Sequence, residues 1–376
     1  MRSKVCFVFL MGIVSLFGDI VYESARSTIG PYFKELGASA TIIGITTGIA
    51  EFLGYSVRII SGFIADKMKA YWFMTSIGYG LLSCIPLLAF SESWKSASLL
   101  IILERIGKGI RTPSRDAILS YATEEIGRGK GFGLHEALDQ IGAILGPFVF
   151  SFLLGYGYRK AFSMLWIPLF FCLFFLFLAK RILPDPHIPE SKAKTNTSKV
   201  FLPYSLFIFF SVAGFSSFQI ISYHMKICQI SDKKIPILYS ISMASDALAA
   251  IFAGSLYDKK GLRSLILIPP FTAVIPFFVF SKKDTLLLLG TIIWGIVLGI
   301  HETIIRASIA DITYGNKRGL SYGILNTVYG SAFFLGSSAI GYLYDLSISY
   351  VICFTLLSEL LSLIFLFKIF HNEQNP

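Results

Sequence analysis

Asp19, Glu23 and Arg26 stand four and three residues apart in an otherwise apolar stretch. That spacing puts all three on one side of a helix. Two carboxyls kept out of water beside a cation can take up and release a proton, because desolvation disfavours their charged form. The competing role is a Glu23–Arg26 ion pair that only holds structure. Spacing does not separate Asp19 from Glu23. A second cluster is denser: Glu104, Arg105, Lys108, Arg111, Arg115 and Asp116 fall within 13 residues. Glu104, Lys108, Arg111 and Arg115 recur at four, three and four, one stripe down a helix. Lys108 can meet an anionic ligand, or Glu104 and Lys108 can neutralise each other. Arg111 and Arg115 flank Pro113 and read as gate or loop anchors. In a third cluster, His301 can relay a proton or bind a ligand. Glu302 and Arg306 beside it have the spacing of a bridge.

Other chemistries fit less well. His135, Glu136 and Asp139 share no ligand spacing with His301 and Glu302, so no metal is expected. Gly127-Arg128-Gly129-Lys130-Gly131 has no Ser or Thr after its lysine and no strand before it, so it is not a phosphate cradle. No cofactor is expected. The five cysteines are scattered and read as apolar packing residues.

The elements that must position these groups are membrane spans. Of the 376 residues, 54% are hydrophobic and 15% charged, and the mean hydropathy is +0.68. Soluble domains carry about 25% charged residues. The length fits about twelve spans of roughly 20 residues. The apolar runs cover 5–28, 39–64, 71–90, 96–118, 131–154, 161–179, 201–224, 235–257, 264–281, 285–310, 320–344 and 348–368. Each is expected to be helical, since backbone polar groups in lipid need internal partners. The first run lacks a small-residue cleavage site and reads as a retained helix. Basic residues concentrate at alternate span ends, as at Arg2, Lys4, Lys67, Lys69, Lys180, Arg181, Lys192, Lys259 and Lys260. They are sparser at Lys34, Lys95, Lys233 and Lys282. This bias puts both termini in the cytoplasm. It leaves no basic face for nucleic acid, despite a net charge of +10.

The chain is also a repeat. Gly62-Phe63-Ile64-Ala65-Asp66-Lys67-Met68-Lys69 returns 192 residues later as Gly254-Ser255-Leu256-Tyr257-Asp258-Lys259-Lys260-Gly261. Arg128-Gly129-Lys130-Gly131-Phe132-Gly133 returns at an offset of 190 as Arg318-Gly319-Leu320-Ser321-Tyr322-Gly323, and Gly146 maps to Gly336. Residues 1–180 and 201–376 are therefore two six-helix bundles, joined by a polar cytoplasmic linker over 181–200.

These features resemble the major facilitator superfamily over nearly the whole chain. Its loop signature after the second helix is G-x-L-x-D-[RK]-x-G-[RK]. Gly254, Leu256, Asp258, Lys259 and Gly261 match it; in the first copy Gly62, Asp66 and Lys67 match, while Met68-Lys69-Ala70 departs at the glycine position. The resemblance implies an all-α fold of twelve transmembrane helices with a pseudo-two-fold repeat. It implies that helices one, four, seven and ten line a central cavity and that three, six, nine and twelve are peripheral. The charges agree: spans three, six and nine carry no Asp, Glu, Lys, Arg or His, span twelve has only Glu359 within it, and span four is crowded. At about 2.5–3.5 kcal/mol per central charge, three charges in lipid would cost roughly 8–10 kcal/mol, so span four must face protein or water.

By the same resemblance, Arg105 with Gly109 fits the fourth-helix pattern R-x-x-x-G, tied there to proton coupling. Arg105 has no basic counterpart 190 residues on, where Gly295 stands, so it belongs to function more than to scaffold. Gly142, Gly146 and Pro147 resemble the fifth-helix motif G-x-x-x-G-P of antiporting members, although Phe148-Val149-Phe150 lacks its further glycine. Gly62, Asp66, Lys67, Gly254, Asp258 and Lys259 read as conformational latches. The expected protein is a monomeric secondary transporter in a prokaryotic inner membrane. Its ligands would be a small organic solute and a proton, exchanged in efflux. Asp19 or Glu23 would carry the proton and Arg105 would tune it, and the solute would be met by Arg26, Glu104, Lys108, His301 and Glu302. An importer of an anionic metabolite is the alternative. A membrane enzyme or sensor would need a catalytic cluster or soluble domain, and neither is visible.

Overall fold

A computed structural model describes residues 2–123, 127–184, 200–305, 307–308, 312 and 318–374. Among the described residues the expected apolar runs are mainly helical: α1 Arg2–Glu35, α2 Ala40–Met68, α3 Tyr71–Phe90, α4 Trp94–Thr123, α5 Arg128–Leu153 and α6 Tyr158–Ile182. Then follow α7 Phe201–Ile227, α8 Lys234–Lys260, α9 Ile268–Val279, α10 Asp284–Ile305, α11 Arg318–Leu346 and α12 Ile348–Gln374. Among the described residues, nine stretches are long and apolar enough to cross a membrane; one of them, Lys234–Val279, carries both α8 and α9. The charged α4 is not among the nine. Most of the expected linker, 185–199, and Arg306 and Asp311 of the tenth span lie outside the described residues.

Two of the helices are irregular at membrane depth. The helix of α7 stops at Gly214 and resumes at Phe218, with Phe215 and Ser217 in extended conformation. Helix α10 widens into a π-helical turn over His301–Ile305. Irregular backbone at membrane depth survives only where protein or water covers its polar groups. Here Trp294 Nε1 donates to Ser216 O at 2.8 Å and Thr355 Oγ1 to Gly214 O at 3.1 Å.

The chain forms two compact units. The first comprises Met1–Gly37, Leu53–Glu190 and Ile230–Ser240; the second comprises Ala38–Phe52, Ser191–Gln229 and Ile241–Pro376. In each unit, glycines let helix backbones meet. In the first unit, Gly142 and Gly146 of α5 lie on the backbone of Leu16 and Ile20 of α1, Gly109 of α4 lies on Gly54 of α2, and Gly62 meets Pro113. In the second unit, Gly336 of α11 lies on Ala213 of α7, Gly299 of α10 on Asp246 of α8, and Gly254 meets Thr303. The sequence repeat is thus a repeat of packing.

The signature loop is also structurally repeated where its sequence is not. Gly261 has φ +55°, and Lys69, at the matching position of the first copy, has φ +51°. The first copy keeps the left-handed turn that glycine serves in the second, at the cost of a strained side chain.

In the second unit, the start of α2 lies along α11 through small residues. Gly44 and Gly48 abut the backbone of Ser337 and Phe334, Gly341 abuts that of Ala40, and Thr47 Oγ1 is 3.2 Å from Ser337 Oγ. At its end, the carboxylate of Asp345 accepts from Ala40 N (3.1 Å), Thr41 N (2.9 Å) and Thr41 Oγ1 (2.6 Å). This caps the helix from another helix. Large side chains on α6 and α12, including Phe170, Phe174, Phe177, Leu357, Leu360 and Phe367, point outward, as lipid-facing residues do.

Candidate functional site

The charged residues of the first unit converge between α1, α4 and α5. On helix α1, Ser24, Ser27 and Thr28 turn their hydroxyls back onto its own carbonyls, which satisfies them within the helix. This leaves one face, Ser15, Asp19, Tyr22, Glu23 and Arg26, to meet its neighbours. Glycines at 142 and 146 draw α5 against it, and that brings in Asp139.

The sequence offers Asp139 only as a member of a remote metal set. Its carboxyl is hydrogen bonded to that of Asp19, and Ser15 Oγ donates to Asp139 Oδ1. Two carboxyls can hydrogen bond to each other only when one holds a proton. Asp139 already accepts from Ser15 and has Arg115 and His135 near it. Glu23 is engaged differently. Its Oε2 accepts from Tyr239 Oη at 2.5 Å and its Oε1 from Arg26 at 3.4 Å. Tyr239 lies in the short part of α8, within Ile230–Ser240, that belongs to the first unit. Asp19 and Glu23, equivalent by spacing, thus have distinct partners.

Tyr22 organises the cations. Its ring lies 4.0 Å from the Arg105 guanidinium, 4.7 Å from Lys108 Nζ and 5.9 Å from the Arg26 guanidinium. Each can gain about 0.5–2 kcal/mol from the ring's negative face. Sequence reading gives Tyr22 no role, because an aromatic in an apolar helix looks like core. Its place between Asp19 and Glu23, on the face turned to α4, is the available signal.

The stripe on α4 divides its work. Lys108 interacts with Asp19 and Glu23, while Glu104 pairs with Arg111 at 3.7 Å and lies 4.0 Å from Arg105. Arg111 also donates to Gly78 O of α3 at 3.2 Å and sits over the Tyr79 ring. It is therefore an anchor between α3 and α4. Arg115 is bonded to Asp116 at 2.8 Å. Of the latch residues, Asp66 accepts from Tyr71 Oη at 3.0 Å, and Lys67 lies over Phe63.

In the second unit, His301 is 1% exposed. Its Nε2 is 3.3 Å from Ser211 Oγ, its ring packs on Phe215, and its Nδ1 has no hydrogen-bond partner. Glu302 beside it is half-buried. Sequence reading passes over Arg58 and Asp246, charges within α2 and α8; Arg58 lies 4.4 Å from the Tyr55 ring, and Asp246 lies under Gly299.

The Major Facilitator Superfamily model matches residues 8–231 and again 204–376. The chain belongs to this superfamily. An uncharacterized protein of Mycobacterium tuberculosis is 34% identical over 378 residues, covering 96% of this chain and 92% of that one. An uncharacterized MFS-type transporter of Methanocaldococcus jannaschii is 28% identical over 356 residues, covering 90% and 89%. The crystal structure of a mutant of the nucleoside transporter NupG shares the fold with a TM-score of 0.77 at 17% identity, covering 97% and 99%. The protein is thus a multi-pass membrane transporter of this superfamily, not an enzyme.

Proposed function

We propose that this superfamily member expels a small organic solute in exchange for protons. The Asp19–Asp139 pair carries this reading. The two carboxyls hold one proton between helices α1 and α5, beside Lys108. Losing that proton puts two like charges in contact, a state the helices relieve by moving apart or by drawing in a cation. That is the coupling an alternating-access cycle needs. Arg105, held over Tyr22, tunes the pair's field through Lys108. The fifth-helix motif Gly142, Gly146 and Pro147 supports efflux, since its glycines set the α1–α5 contact that holds the pair.

The working unit is a monomer of two bundles, 1–180 and 201–376, joined by a cytoplasmic linker over 181–200. It sits in a prokaryotic inner membrane with both termini in the cytoplasm. Arg26, Glu104, Lys108, His301 and Glu302 meet the solute, and Gly62, Asp66, Lys67, Gly254, Asp258 and Lys259 latch the cytoplasmic ends. A second reading is import of an anionic metabolite. The grouping of Arg26, Arg105 and Lys108 about one ring favours it.

The test uses proteoliposomes with an internal pH dye and a panel of nucleosides, peptides and drug-like cations and anions. Efflux coupling predicts that adding a transported solute moves protons the opposite way, and that Asp139→Asn abolishes this. Co-movement of an anion with protons would favour the second reading. Undiminished coupling in Asp139→Asn and in Asp19→Asn would sink the assignment of the pair.

A further inference from the structure

Apart from Lys368 at its end, the twelfth apolar run has one charged residue, Glu359, and it is 2% exposed on α12. It faces the break in α7. A Cβ on Gly214, the last helical residue before the break, would lie 2.8 Å from Glu359 Oε1 and 3.0 Å from Ser358 Cβ. Oε1 has no hydrogen-bond partner. Among the described residues no charged side chain acts on the carboxyl. Helix α7 brings His224 and Lys226 only beyond the break, and His224 is bonded to Tyr344 and Ser281 O. Helix α11 brings Asp345, which caps α2. The turn before α9 brings Arg263, which does not act on it. His301 reaches the same stretch of α7 through Ser211, and it too does not act on Glu359.

The contact that remains is Ser362. Its Oγ lies 3.0 Å from the backbone carbonyl oxygen of Glu359 and 3.1 Å from Oε2. One hydroxyl hydrogen serves one acceptor well, and the carbonyl can only accept. When the hydroxyl serves the carbonyl, the contact with Oε2 is a hydrogen bond only if Oε2 carries a proton. A carboxylate here would be a buried charge without a counter-ion, which proteins avoid at a cost of several kcal/mol. A carboxylic acid leaves only a neutral carbonyl oxygen, Oε1, against Gly214.

We propose that Glu359 is a proton-binding site of the second unit, seated on the broken helix α7. Uptake forms an O–H bond at Oε2, donated to Ser362 Oγ; release returns the proton to water and leaves a charge that the break must open to solvate. The site is separate from the Asp19–Asp139 pair and does not depend on it.

The experiment is infrared difference spectroscopy on the full chain in lipid nanodiscs, wild type minus Glu359→Gln. At neutral pH the difference should show one protonated-carboxyl C=O band and no carboxylate bands. In D2O that band should shift as its proton exchanges. Carboxylate bands at neutral pH would overturn the proposal, and so would a carboxyl band that never exchanges, which marks a sealed structural acid. If Glu359→Gln does not fold, Ser362→Ala serves instead. It should move the C=O band of wild type, and an unmoved band would count equally against the site. The Asp19→Asn variant should leave this band in place, so the two sites stand or fall separately.

Discussion

Tyr239 donates a 2.5 Å hydrogen bond to Glu23, so a side chain from α8 completes the surroundings of a carboxylate on α1. Such a bond to an ionised group contributes roughly 1.5–3 kcal/mol. Tyr239→Phe should therefore lower the thermal midpoint of the purified protein by several degrees. Tyr350→Phe, at an exposed position away from this carboxylate, should not. The check is a thermal unfolding scan of both variants, and equal midpoints for wild type and Tyr239→Phe would mean that the contact contributes nothing.

The Asp19–Asp139 pair makes a sharper demand. Each of Asp19→Asn and Asp139→Asn keeps a hydrogen bond between the two positions but removes the exchangeable proton. Both variants should fold with near wild-type midpoints, and both should lose solute movement driven by a pH gradient at least ~10-fold, the factor for 1.4 kcal/mol. Glu23→Gln should instead lose stability, because it breaks the Arg26 and Tyr239 contacts. A loss of coupling confined to Glu23→Gln would reverse the assignment.

Tyr22 offers a test of ring against hydroxyl. Its hydroxyl is buried without a hydrogen-bond partner, while its ring faces three cations. Tyr22→Phe should be neutral to within about 0.5 kcal/mol. Tyr22→Leu should cost about 1–3 kcal/mol, from two close cation–π contacts. Chemical or thermal unfolding of the pair of variants measures the difference directly.

Lys69 and Gly261 share a left-handed backbone with opposite consequences. Lys69→Gly should stabilise by up to about 1 kcal/mol, since glycine removes the strain of φ > 0. Gly261→Ala should destabilise by about 1–2 kcal/mol. Paired midpoint shifts of opposite sign are the expected reading; shifts of the same sign would contradict it.

What could be read from sequence, and what could not, divides along physical lines. Apolar runs, charge bias and the Gly62/Gly254 repeat report on burial and duplication, which composition and spacing encode. They account for the all-helical fold and the charged face of α4. Partners of individual charges depend on which helices touch. Asp139 was legible only as a member of a metal set, because Gly142 and Gly146 are what draw α5 close enough to bring it to Asp19. Tyr239 escaped notice because its reach to Glu23 crosses 216 residues of sequence. The break in α7 was hidden for a different reason. Gly214-Phe215-Ser216-Ser217 holds no proline, and its exposed backbone groups are satisfied by Trp294 and Thr355, far along the chain. At Lys69 the sequence departed from the glycine pattern while the backbone did not.

The seam between the start of α2 and α11 is nearly toothless. Gly44, Gly48 and Gly341 present bare backbone, and the side chains that meet across it are few, chiefly the Thr47–Ser337 hydroxyls and the Phe52 and Phe334 rings. Surfaces with so few knobs can part or glide with little change of rotamer. Resistance to that movement is then concentrated at one end, where Asp345 grips the first turn of α2. The seam behaves as a low-friction bearing with its main catch at one end, and the strength of that catch, more than the area of the bearing, sets how readily it comes undone.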